Sequence, residues 1–384
     1  MNILLLSQFM STTRGGGEHI FSLMAKILGE SGHNVWVITN RIIGEEYPQY
    51  KNVKIIFVPP TLEHKGGLPP SLRNNLLYFF YGMKSGFSII KQEKISVIHS
   101  NNFSPALTGS FLSFFTSVPH VTTIHDVFSL YKNFWKNWAR QQDISKINVI
   151  LAPFFERLMI RIKSSAIHTV SETSKDDLIK FGTKKKIFVI PNSIIPFEIS
   201  SNKVDPLQFI FVGRLVFYKN VEVIIRCISI MRQKFPKIKL LIIGDGPHKT
   251  KLVELVSLLN LHSNVIFLGY VSEIRKRQLI SSSNALLFPS LYEGFGMVIL
   301  EAFCCKRPAV VANVRPLSDI VSHKKTGFVV DAENPKSWAE TLYWILENND
   351  ESNSIGIAGE KELYKKYSVS TILQNLNDMY SKVS

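Results

Sequence analysis

An α/β fold of two domains, each a mainly parallel sheet with helices on both faces, is what this sequence predicts, on three observations. Short apolar runs alternate with amphipathic segments along the first half, which is the pattern of strand and crossover helix. The same pattern restarts after residues 191–206, PNSIIPFEISSNKVDP, a stretch rich in Pro, Ser and Asn that reads as a linker. A length of 384 residues is long for one hydrophobic core and suits two of ordinary size, with a cleft between them.

The first domain is expected over residues 1–190. Its strands are NILLLSQF, NVWVITN, VKIIFVP, SVIHSNN, HVTTIHD and AIHTVSE, with helical patterns between most of them. The second is expected over 191–367, with five strands: QFIFVGRL, KLLIIGDG, NVIFLGY, ALLFPS and PAVVAN. Residues 368–384 contain SVSTILQNLNDMYSKV, an amphipathic helix that either caps the second domain or crosses back to the first.

Hydrophobic content of 45% and charged content of 20% describe an ordinary globular chain and exclude a disordered or fibrous one. MNILLLSQFM lacks a basic leader and a cleavage site and reads as a strand, not a signal sequence. The apolar stretches 76–90 and 106–121 are interrupted by Gly, Ser, Lys or Pro, so no transmembrane helix is expected. Cys227, Cys304 and Cys305 fit neither a disulfide scaffold nor a zinc site, and the expected location is the cytoplasm.

The formal charge of +15 favours an anionic partner. Residues 1–190 hold 22 Lys and Arg against 12 Asp and Glu, about two thirds of the net excess. That bias suits an acidic or membrane-bound ligand of the first domain, or simply a basic surface. The aromatic and basic stretch 131–140, YKNFWKNWAR, is a candidate contact with anionic lipid headgroups, or an aromatic surface cluster. No nucleic-acid module accompanies the charge, so nucleic-acid binding is not expected.

The segment 289–302, PSLYEGFGMVILEA, places Glu293 and Glu301 around a glycine turn that feeds an apolar helix. Gly294 and Gly296 let the backbone approach an anion, to which the free N–H groups of the helix then point. Glu301 should lie about two helical turns beyond the anion, or be a helix-surface charge. Gly213, Arg214, Leu215 and, four residues on, Lys219 end the first strand of the second domain, where parallel sheets bind ligands. Arg214 suits a bidentate grip on phosphate and Lys219 a point charge. GDGP at 244–247 permits a tight turn at a strand end, and no D-x-D triplet is present. RGGGEH, with Gly16 and Gly17, reads as a loop after the first strand that lies against a ligand or as a flexible turn. His125 closes a strand and is either structural or functional, and Asp126 is a possible helix cap.

The string PS-x-x-EGFG-x-x-x-LEA, VGRL followed by Lys219, the GG-x-E of the first loop, VSE and VIPNS together resemble the retaining glycosyltransferases of family 4, over nearly the whole chain. The resemblance implies a GT-B fold, two Rossmann-like domains with sheets facing across a cleft. It implies a nucleotide-sugar donor held mainly by the second domain: Glu301 on the ribose, Arg214 and Lys219 on the diphosphate, Val271 near the base. Glu293 and the amides of Gly294, Phe295, Gly296 and Met297 would position the sugar. His125, Gly16 and Gly17 would complete the site from the first domain, with Asn192 lining the interdomain region.

Ser193 replaces the common Gly of the family's VIPNG segment. No divalent metal and no other cofactor is implied. The expected acceptor is a glycan or polyprenyl-linked glycan of surface polysaccharide or lipopolysaccharide assembly, with peripheral contact at the inner membrane face. A sugar-nucleotide epimerase on a related scaffold and a non-catalytic sugar-nucleotide-binding protein are the alternatives.

Overall fold

The computed structural model describes residues 1–11, 16–63, 71–127, 130–131, 136–137, 139–140, 146–197 and 203–383. They form two units, the first built from residues 1–136, 144–192 and 369–384 and the second mainly from 193–368.

In the first unit seven strands lie in the order β3-β2-β1-β4-β5-β6-β7. They are β1 Asn2–Leu6, β2 Asn34–Ile42, β3 Val53–Leu62, β4 Val97–Ser100, β5 His120–Thr123, β6 Ala166–Thr169 and β7 Ile187–Val189. All neighbours pair in parallel. Because strand side chains alternate between faces, β1 feeds two cores. Ile3 and Leu5 pack on one face with the helix Gly16–Glu30, and Leu4 and Leu6 on the other with Tyr78 and Leu112. The terminal helix Val369–Val383 buries Ile372, Leu376, Met379 and Tyr380 in the first of these cores, each burial stabilising by about 2 kcal/mol.

The second unit has six parallel strands in the order β10-β9-β8-β11-β12-β13. These are β8 Asp205–Val212, β9 Lys239–Ile243, β10 Val265–Gly269, β11 Ser283–Phe288, β12 Ala309–Ala312 and β13 Gly327–Val330. Two strands, β7 and β13, go beyond the sequence reading. The first is three half-buried residues at a sheet edge, and the second is four residues opening on glycine, so neither shows a period.

The stretches 76–90 and 106–121 fall within the helices Leu72–Glu93 and Ser104–Thr116 and the strand β5. Among the described residues no helix is long and apolar enough to cross a membrane.

Candidate active site

Strand order in the second sheet reverses between β8 and β11, which lie side by side. Parallel sheets open a crevice at such a reversal, beyond the carboxyl ends of the two strands. The loops that leave those two ends are GRL with Lys219 and EGFG, the two segments singled out in the sequence.

Three contacts fasten these loops to each other. Leu291 donates its backbone N–H to the Tyr218 carbonyl at 2.7 Å. The Ser290 hydroxyl donates to the same oxygen at 3.3 Å. Lys219 Nζ pairs with Glu293 Oε1, the two side chains being 13% and 14% exposed. Lys219, expected as a point charge for phosphate, is therefore already paired with a carboxylate. It sits at the end of the short 3-10 turn Phe217–Lys219, and Asn220 at φ +50° turns the chain into the helix Val221–Met231.

The glycines of GDGP also have another reason than the one expected. A Cβ at Gly244 would lie 2.0 Å from the Gly213 carbonyl oxygen, and one at Gly246 would lie 2.3 Å from that of Leu215. Their φ angles are +126° and +159°. They allow the β9 loop to lie directly on the β8 loop, where Leu215 donates its N–H to the Asp245 carbonyl at 2.9 Å. Asp245 is tied locally, its carboxylate accepting from Lys249 Nζ and from the Gly246 N–H, both at 2.7 Å.

Beyond Gly294 and the buried Phe295, Gly296 takes φ +108° and opens the helix Met297–Cys304. Half of the eight-residue interval between the glutamates is thus loop, and Glu301 stands one turn into the helix, not two as expected. Its Oε1 accepts from Lys276 Nζ at 2.9 Å, while Oε2 is buried and has no partner. Lys276 also reaches Glu273 at 2.9 Å. Burial pulls the Lys276 ammonium down, but the two carboxylates outweigh it and hold it above the ordinary range. Burial pushes the Glu301 carboxyl up, an effect Lys276 only partly offsets.

Lys276 escaped the sequence reading. The only signal was the i,i+3 spacing from Glu273 on the helix Glu273–Ser282, which looks like ordinary surface charge. Val271 follows β10, half-buried.

In the first unit, His125 lies two residues past β5. Its carbonyl accepts from the Ser174 hydroxyl at 2.7 Å, next to the Ser171 cap of the helix Glu172–Phe181. Burial, helped by the neighbouring His168, pushes the imidazole down to about 4. Its buried Nε2 has no partner. Gly16 and Gly17 open a helix instead of lying in a loop, and Gly15 lies outside the described residues, as do 132–135 and 138.

Asn192 keeps a buried Oδ1 without a partner. Ser193 donates its hydroxyl to the Tyr367 carbonyl at 2.6 Å, a tie the family's usual glycine does not make. Among the described residues no three His, Cys, Asp or Glu side chains are grouped to hold a metal ion.

An uncharacterised glycosyltransferase of Methanocaldococcus jannaschii is 28% identical over 377 residues, covering 93% of this chain and 92% of that protein. A capsular polysaccharide biosynthesis glycosyltransferase, CapM, of Staphylococcus aureus is 25% identical over 356 residues, covering 88% and 87%. Among solved structures, Anabaena HepE in complex with UDP-glucose superposes with a TM-score of 0.74 at 19% identity, over 100% of each chain. Residues 192–362 match the glycosyl transferases group 1 family and residues 14–196 match Glycosyltransferase Family 4. The chain belongs to the group 1, family 4 glycosyltransferases and has their GT-B fold.

Proposed function

We propose that this glycosyltransferase moves a hexose, with retention of configuration and without a divalent metal, from a uridine diphosphate sugar to a glycan or polyprenyl-linked glycan in surface polysaccharide assembly. The observation that carries the donor assignment is the buried Glu301 Oε2, which lacks a partner one turn into the helix that follows the β11 loop. A carboxylate whose other oxygen is held by Lys276 is oriented to accept from the ribose hydroxyls. UDP-glucose in the HepE complex supports uridine, and the capsular relative supports the pathway.

In this reading Arg214 and Lys219 hold the diphosphate, and Glu293 with the amides of Gly294, Phe295, Gly296 and Met297 positions the sugar. Cleavage at the anomeric carbon leaves positive charge on the sugar and negative charge on the departing phosphate, and the cations lower the barrier by meeting the latter. The acceptor hydroxyl adds on the face the phosphate leaves and gives its proton to that departing phosphate. Gly16, Gly17 and Val271 keep their donor assignment, and His125 its catalytic one, on the motif match alone. The acceptor class places the enzyme at the cytoplasmic face of the membrane.

The test is incubation with UDP-hexoses and acceptor glycans in EDTA, with the product anomer read by NMR. Transfer with retained configuration supports the proposal. Inversion, dependence on added divalent metal, or epimerised sugar nucleotide without acceptor contradicts it.

A further inference from the structure

Single exposed apolar side chains are ordinary, but a contiguous patch marks a binding surface. The first unit carries such a patch. Phe80 on the helix Leu72–Glu93 is 64% exposed, and Phe114 and Phe115 on Ser104–Thr116 are 61% and 63% exposed. Their rings fall in two clusters that adjoin along Ser104–Thr116, where Phe111 stands one helical turn from Phe114 and Phe115. Phe79 meets Phe80 at 5.6 Å and Phe111 at 5.3 Å between centroids. Phe115 meets Phe87 at 6.1 Å and Phe114 at 5.1 Å.

The helix pair is packed by its small residues, which is why its rings face out. A Cβ at Gly86 would lie 2.5 Å from Leu112 Cδ1, and one at Gly82 would lie 3.3 Å from Thr108 Cγ2. A third helix, Lys146–Arg161, joins Ser104–Thr116 through Met159 and Ala106 and shows Ile150 and Phe154, 74% and 65% exposed.

Charge indicates what covers the patch. Segments 71–94, 104–119 and 146–165 together hold eight Lys and Arg against only Glu93 and Glu156. Lys163 Nζ stands 5.1 Å over the Phe114 ring, an apolar face capped by a cation. Phenylalanine offers no hydrogen bond to a protein partner, whereas exposed rings on helices that carry an excess of basic residues match the boundary between acyl chains and anionic headgroups.

We propose that these three helices form a docking face for an anionic membrane surface. The proposal rests on the lipid-linked acceptor read above and moves the contact away from 131–140, where the Tyr131 hydroxyl is engaged by the Asp177 carboxylate at 2.9 Å.

Flotation of the full chain with phosphatidylcholine vesicles, with and without about one third phosphatidylglycerol, tests it; each buried ring or reversed charge is worth about tenfold in partition. The wild type floats with the anionic vesicles, and Phe80→Ser, Phe114→Ser and Phe115→Ser combined lower that binding at least tenfold while UDP still stabilises the protein. If that variant fails to fold, Lys84→Glu with Lys163→Glu gives the same expected loss. Equal binding by variants and wild type, or a wild type that stays in solution, overturns the proposal. A wild-type dimer that the ring variant converts to monomer also overturns it, by giving the face to a second copy. Vesicle binding is read without donor and UDP binding without lipid, so failure here is separate from failure of the assigned reaction.

Discussion

The strand ends of the two units are chemically opposite. In the second, charge meets charge: Lys219 with Glu293, and Lys276 with Glu301 and Glu273. In the first, the buried groups are imidazoles and hydroxyls kept neutral. His168 Nε2 lies 3.1 Å from the Ile190 carbonyl, which only accepts, so the proton sits on Nε2. His168 Nδ1 then accepts from the Thr123 hydroxyl at 3.0 Å, and that oxygen accepts from His99 Nε2 at 2.7 Å. His99 Nδ1 in turn accepts from the Tyr380 hydroxyl at 2.7 Å, on the terminal helix. One carbonyl therefore sets the direction of these bonds. The second unit therefore carries ion pairs where the first carries neutral hydrogen bonds.

The largest effect should come from the charged side of this contrast. Arg214→Ala is expected to lower kcat by about 10²–10³-fold in a UDP-hexose transfer assay, the usual loss for one preorganised electrostatic group. Near-normal turnover would remove Arg214 from the site. Glu293→Ala should cost about 2 kcal/mol of stability as well as activity, because it strands the Lys219 ammonium, whose side chain is only 13% exposed. Adding Lys219→Met should restore much of that stability in denaturant titrations, and a purely additive double variant would show that the pair is not coupled.

The neutral side predicts a pH response. Burial pushes His120 and His168 down to about 4. Folded-state values below the unfolded value of about 6.5 mean that the unfolded chain binds protons first. Stability is thus complete above pH 6.5 and falls as pH drops towards 4, by about 3 kcal/mol for each of these two groups. Urea titrations at pH 7.5 and pH 5 should show the first unit losing the most, and a flat profile would mean that the imidazoles are not held neutral. The smallest effect is expected at Lys276. Lys276→Met should raise the donor KM about tenfold with a lesser change in kcat, since it frees Glu301 to turn without removing it. A change confined to kcat would argue against a positioning role.

Much of this was legible in the sequence. The strands β1 to β6 and β8 to β12 announced themselves as short apolar runs, and the two loops proposed to hold the donor were found by their motifs and their position at strand ends. What stayed hidden depends on neighbours distant in the chain. Lys219 finds Glu293 only because β8 and β11 pair, and GDGP needs its glycines only because β9 brings that loop onto β8. The aromatic helix hides its orientation for the same reason. The run LLYFFYGMKSGF does not mark which side is covered: Tyr78 and the glycines are buried, while Phe80, Tyr81 and Phe87 are left exposed. Where Glu301 falls on its helix was out by a turn because the sequence does not mark where Gly296 ends the loop.

Calorimetric titration of UDP into the full chain and into Glu301→Gln most directly examines whether the second unit holds the donor at the β8 and β11 loops. The expected result is saturable binding by the wild type and affinity at least tenfold weaker in the variant, which keeps the shape of the side chain but not its charge. Equal affinity in both, or no binding of UDP by the wild type, would contradict the assignment of Glu301 to the nucleotide.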